Sequence, residues 1–125
     1  MYDPSSKDKK EIIKELQKNI PKVPLKSDIS VELYFHMPYP KKWYRTGKYA
    51  GILKDNAPFF HVIKPDVDNL AKIYLDCMNK IIYNDDSQIV HLEVFKMYSE
   101  EPKTIIKIRE SNEINTTSIL QRVKC

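Results

Sequence analysis

Glycine is almost missing from this chain. Only Gly47 and Gly51 occur among 125 residues, which excludes a Walker A loop, a dinucleotide fingerprint, a collagen repeat and a glycine linker. Cysteine is as scarce: Cys77 and Cys125 are the whole set. With no Cys-x-x-Cys and no Cys/His cluster, a zinc site is not expected. Cys77 sits in an apolar helical pattern and reads as a core thiol, and the cysteine usage fits a reducing cytoplasm. No apolar run approaches the ~18 residues of a membrane span, and no signal-peptide pattern opens the chain. A membrane is therefore not an expected partner. Apolar residues make up 42% and charged residues 30%, the balance of one folded domain rather than of a disordered chain.

Charge is unevenly placed. The net charge is +4. Residues 37–64 carry Lys41, Lys42, Arg45, Lys48, Lys54 and Lys64 against Asp55 alone. Residues 65–88 reverse the sign, with Asp66, Asp68, Asp76, Asp85 and Asp86 against Lys72 and Lys80. A basic surface attracts a polyanion, and a concentrated acidic patch can hold the cation that makes its phosphate reactive. Ordinary charge scatter is the plainer reading.

Periodicity predicts an amphipathic helix over 6–20, with Ile12, Ile13, Leu16 and Ile20 on one stripe and Ser5 or Ser6 as its cap. Residues 29–36 alternate as a strand. Residues 37–60 form a long connection opened by Met37-Pro38-Tyr39-Pro40, and its Lys41-Lys42-Trp43-Tyr44-Arg45 and Lys48-Tyr49 interleave cations with aromatics. That pattern suits phosphate contact and base stacking, or a solvated loop anchored by Trp43. A helix starts at Asp68 or Asn69 and runs to about Met78. Asn84-Asp85-Asp86-Ser87 makes a turn. Strands follow near 89–96 and 104–109, joined by Glu100-Glu101-Pro102. The domain spans 1–110, and 111–125 is a polar tail with a short helix near 119–123.

The chemistry concentrates in Lys64-Pro65-Asp66-Val67-Asp68-Asn69-Leu70, then Lys72, Asp76, Asp85, Asp86 and Gln88. If Asp66 and Asp68 lie in an extended segment, they point to one side and converge on a hard cation. Asp86 folded alongside gives a third ligand. Lys72, one turn beyond Asp68, can stabilise a pentacovalent phosphate. Plainer readings stand beside each: an Asp-x-Asp helix cap, a surface ladder of Asp68, Lys72 and Asp76, a simple turn at Asp85 and Asp86. An EF-hand does not fit, since Leu70 and Ala71 fall at a ligand and a glycine position. His36, His61 and His91 have no zinc-like pairing and read as neutral structural side chains.

The string Lys64, Pro65, Asp66, Asp68, Asn69, Leu70, Lys72, Asp76, Asp85, Asp86 and Gln88, in that order and spacing, resembles the RusA Holliday-junction resolvases. The similarity extends more loosely from about Tyr2 to Ile108. Met37-Pro38-Tyr39-Pro40-Lys41 is similar to the family's proline-rich loop, and Lys96 falls where the family carries a basic strand residue. The resemblance implies an α+β fold, a small mixed sheet packed with two main helices, in a homodimer. It implies binding of branched DNA, specifically four-way junctions, and paired Mg²⁺-dependent cuts, with Mn²⁺ as a substitute, in a bacterial or prophage setting. Asp66, Asp68 and Asp86 take the place of the metal-binding carboxylates and Lys72 that of the catalytic lysine, with Asp76 and Asp85 supporting. Lys41, Lys42, Trp43, Arg45 and Lys48 are the DNA-contact candidates. The family's opening strand and basic segment have no counterpart, because this chain begins at Tyr2-Asp3-Pro4 where that segment ends. The competing readings are a DNA-structure-binding module of the same family that does not cleave, and a domain whose carboxylates only cap a helix.

Overall fold

The computed structural model describes residues 3–110. Two helices, α1 (Lys9–Leu16) and α2 (Val67–Met78), pack with three strands, β1 (Ile29–Pro38), β2 (Ile89–Ser99) and β3 (Lys103–Glu110). The expected α+β class, a small mixed sheet with two main helices, is therefore what the chain forms. The expected helix near 119–123, the tail and Cys125 lie outside the described residues.

Strand order is β2-β1-β3. β1 runs parallel to β2, with Leu33 opposite Val94, and antiparallel to β3, with Leu33 opposite Ile106. The connection 100–102 joins β2 to β3, as the sequence suggested, and passes the end of β1, which lies between them. The reason is apolar content. Ile29, Val31, Leu33 and Phe35 are each 0% exposed, so the strand with most to bury takes the centre. With β1 and β2 parallel, their connection must cross over the sheet, and α2 is that crossover.

Ile12, Leu70, Tyr74, Cys77, Met78 and Tyr83 close on the inner face of β1. Tyr74 meets Phe35 edge-on with centroids 5.2 Å apart. Each such fully buried side chain contributes about 1.5–3 kcal/mol. Cys77 is a buried free thiol whose pKa burial raises, as a core role requires.

Helix α1 is shorter than the periodicity predicts. Asp3 accepts from the backbone and hydroxyl of Ser5, which uses the serines in a preceding turn. Asp8 is the cap instead, accepting from the Lys10 backbone N–H at 3.1 Å. Beyond Leu16 the chain tightens into a 3-10 turn, Gln17–Asn19, and extends at Ile20 ahead of Pro21.

The outer face of the sheet is mixed. Tyr34 stacks on Phe95 with centroids 5.5 Å apart. Beside them Ser30 Oγ meets His91 Nδ1 at 2.5 Å, and His91 Nε2 meets Glu93 at 2.9 Å. Ser30 is 6% exposed, so this trio closes a polar end of the sheet rather than presenting a nucleophile. Among the described residues no helix is long and apolar enough to cross a membrane.

Candidate functional site

Asp66 is the N-cap of α2, with φ −70° and ψ 146°. The Leu70 N–H donates to its backbone carbonyl at 3.1 Å, but its side chain makes no capping hydrogen bond. The Lys64–Pro65 peptide before it is cis. The helix thus begins at Val67, earlier than Asp68 or Asn69. Asp68 is already in its first turn, so Asp66 and Asp68 do not share the extended segment that the sequence suggested.

Lys96 holds this approach in place. From β2 its ammonium donates to the carbonyls of Ile63 and Pro65, both at 2.7 Å. Burial lowers its pKa, and the Asp66 carboxylate opposes that shift.

A groove of about 610 Å³ lies between α2 and β2. Asp68, Lys72, Asp76 and Asp86 all line it, with Leu92 and Val94 on the strand side. The i, i+4, i+8 spacing puts the three helical residues on one face, and that face is the groove wall. Asp66 is not on the wall. Among the described residues Lys72 has no ion pair, so the surface-ladder reading does not describe it, and Asp76 pairs instead with Lys9 of α1 at 3.6 Å. A cavity of about 620 Å³ between α1 and β3 is lined mainly by apolar side chains such as Ile12, Leu16 and Ile106, with Glu15 its one carboxylate among the described residues. It lacks the charged groups that phosphate chemistry needs.

Asp86 is positioned by a residue the sequence reading missed. Tyr83, 0% exposed, donates from its hydroxyl to Asp86 Oδ1 at 2.7 Å. Burial, then that hydrogen bond, raises the Tyr83 pKa strongly, so the phenol keeps its proton. The signal available was a tyrosine in an apolar run three positions before the acid. Asp85 does not line the groove. It caps the 3-10 turn Asp86–Gln88, accepting from the Ser87 N–H while the Gln88 side chain accepts from its own N–H. The Ser87 bonds lower the Asp85 pKa.

The donor set is carboxylate only, which suits a hard divalent cation and not zinc. Among the described residues no group of three or more His, Cys, Asp or Glu side chains is gathered closely enough to hold a metal ion. The expected three-carboxylate cluster of Asp66, Asp68 and Asp86 is thus not assembled. An open site is a different matter. Mg²⁺ is held by one or two carboxylates plus waters and phosphate oxygens, and Asp68 and Asp86 face the same groove.

The basic connection is partly folded. Lys41–Trp43 and Gly47–Tyr49 are 3-10 turns. Arg45 N–H donates to the Ile52 carbonyl at 2.8 Å and Lys54 N–H to that of Trp43 at 2.9 Å. Both glycines sit in this small hairpin with positive φ, 68° and 89°, a conformation that favours them. Lys42 lies over the Trp43 ring at 5.3 Å, and Arg45 pairs with Asp55 at 2.9 Å. Lys41, Lys42 and Lys48 are exposed, Trp43 and Arg45 half-buried. None of the five lines the groove.

Comparison with known proteins places the chain in a family. The family model described as endodeoxyribonuclease RusA matches residues 1–109. The crossover junction endodeoxyribonuclease RusA of Lactococcus phage r1t is 35% identical over 103 residues, covering 77% of this chain and 66% of that protein. The Bacillus subtilis protein YqaN, described as uncharacterized, is 37% identical over 95 residues, covering 72% of this chain and 63% of its own length. The matched region thus spans less than two thirds of either relative. No solved structure matches the chain significantly. The chain belongs to the RusA endodeoxyribonuclease family.

Proposed function

We propose that this RusA-family chain cuts four-way DNA junctions by hydrolysing phosphodiester bonds in two opposed strands. The observation that carries the reading is the shared groove of Asp68, Lys72 and Asp86, the family motif's acids and lysine brought together from a helix and a separate turn. The name of the Lactococcus phage relative points to the same substrate.

Asp68 and Asp86 would hold Mg²⁺, or Mn²⁺ in its place, while Asp66 stays at the helix cap, off the groove wall. When bound, the cation supplies Lewis-acid polarisation of the phosphate and a water acidic enough to attack it. Lys72, with no ion pair among the described residues, contributes an ammonium for charge that develops on the phosphate. Tyr83 orients Asp86, and Asp85 keeps its turn closed. Asp76, tied to Lys9, supports the helix wall. Lys41, Lys42, Arg45 and Lys48 contact phosphates, with Trp43 beside them. Two symmetric cuts need two sites, so a two-fold homodimer matches the junction.

The test is incubation of the protein with labelled four-way junction and matched linear duplex, with Mg²⁺ or with EDTA. Paired nicks in the junction alone, absent with EDTA and absent in Asp68→Asn, are expected. Nicking that persists in Asp68→Asn would reject the site. Junction binding without any nicks would reject the cleavage.

A further inference from the structure

Phe59 is 59% exposed, Phe60 57%, Val62 85% and Ile63 55%. Four of five consecutive residues thus present apolar side chains to solvent. The backbone under them is fixed. The Tyr98 N–H donates to the Phe59 carbonyl at 2.8 Å, the His61 N–H donates to the Lys96 carbonyl at 3.3 Å, and the Lys96 ammonium holds Ile63. Phe59 and Phe60 meet edge-on, centroids 4.9 Å apart. Between them and Val62, His61 turns inward onto the Tyr98 ring. A rigid exposed apolar surface of this kind marks an interaction site.

We propose that Phe59, Phe60, Val62 and Ile63 form a stacking surface for bases unstacked at a DNA branch point. The inference rests on the junction-cutting reading and adds what selects the branch. Ile63 lies five residues before Asp68, so the strip ends within about 18 Å of the acidic groove. At 3.4 Å of rise per nucleotide, that is at most about five nucleotides from a phosphate in the groove. Val67, between the strip and Asp68 in sequence, is itself both exposed and on the groove wall. An intact duplex offers no open base faces there, but a branch point does, and aromatic side chains accept any base by its π-face. Charge favours DNA over a second copy. The strip ends residues 37–64, a segment of six cations and one acid. A two-fold contact through the strip would bring two copies of that segment together, whereas DNA gains from it.

The experiment compares wild type with Phe59→Ser/Phe60→Ser and with Val62→Asp. Val62→Asp alters the most exposed position without touching the phenylalanine pair. Junctions carry 2-aminopurine at the branch point, and Ca²⁺ replaces Mg²⁺ so that binding is read without cleavage. Wild type is expected to prefer junction to duplex and to change the 2-aminopurine fluorescence. Phe59→Ser/Phe60→Ser should lose about 5- to 100-fold in junction affinity, lose the fluorescence change and keep near wild-type duplex affinity, and Val62→Asp should lose the preference for junction over duplex together with the fluorescence change. Variants that keep junction preference and signal would overturn the stacking role and leave the nuclease reading standing. Wild type without junction preference would overturn both. Variants that fall from dimer to monomer in sedimentation velocity would make the strip a subunit contact and overturn the inference.

Discussion

The Tyr83 hydroxyl donates to Asp86 Oδ1 at 2.7 Å and lies 3.1 Å from the Leu75 carbonyl. One hydrogen atom stands between two acceptors, and the charged one is the stronger. The phenol therefore anchors Asp86 beside the last turn of α2, whose earlier turns carry Asp68 and Lys72.

Tyr83→Phe keeps the ring and removes that donor. A lost partner of a coordinating group typically costs 10- to 100-fold in metal affinity, so the Mg²⁺ concentration for half-maximal nicking should rise by about that factor. Stability should fall by only about 1 kcal/mol. Calorimetric titration of Mn²⁺ into the protein without DNA checks the affinity directly. An unchanged Mn²⁺ affinity would mean that Asp86 is held without Tyr83.

Lys72 carries an exposed ammonium with no ion pair among the described residues. Lys72→Met preserves the aliphatic stem on the groove wall and removes the charge. The nicking rate should fall by about 10²- to 10³-fold, as for loss of one group that stabilises transition-state charge. Junction affinity should change only a few-fold, because one phosphate contact among many is lost. Single-turnover cleavage and a filter-binding titration separate the two. A loss confined to affinity would make Lys72 a binding residue.

Much of this was legible in the sequence, for identifiable reasons. The alternate burial of Val31, Leu33 and Phe35 and the common face of Asp68, Lys72 and Asp76 follow from local geometry, and both stand in the structure. Strand order was not legible, because it depends on which strand most needs two neighbours. The start of α2 was misplaced because Asp66, not Asp68, takes the extended cap conformation after Pro65. Tyr83 was missed because an apolar run hides a hydroxyl whose partner is settled only by tertiary packing. Lys96 was noted as a basic strand residue, but its two carbonyl contacts join β2 to residues more than thirty positions earlier.

Gln88 shows what such a long-range tie contributes to stability. Its amide nitrogen donates to the carbonyls of Leu25 and Ser27, each at 2.9 Å, and its oxygen accepts from the Asp85 N–H at 2.8 Å. It therefore fastens the entry to β1 against the turn that carries Asp86. Gln88→Leu fills similar volume and loses all three bonds. Urea denaturation should show a loss of about 2–4 kcal/mol at unchanged m-value. Its Mg²⁺ requirement should also rise, since the turn is loosened. A neutral stability effect would show that water replaces these bonds.

His61 gives the chain a pH dependence with a definite sign. Its Nδ1 is buried without a hydrogen-bond partner. Burial, then the nearby Lys96 charge, lowers its pKa below 6.5, opposed by a backbone hydrogen bond and then by Asp3. His36 shifts the same way, through burial and Lys103. The unfolded chain therefore binds these protons more readily than the folded one. Their contribution to stability is complete above about pH 6.5 and is lost as pH falls from there towards the depressed folded values. His61→Phe keeps an edge-on ring against Tyr98 and cannot titrate. Between pH 7.5 and 5 its melting temperature should fall less than that of wild type, with the remaining decline removed by adding His36→Gln. At pH 7.5 it should melt no lower than wild type, because the unpaired nitrogen is gone. An equal decline in wild type and His61→Phe would place the acid sensitivity elsewhere, in the carboxylates rather than in the segment around His61.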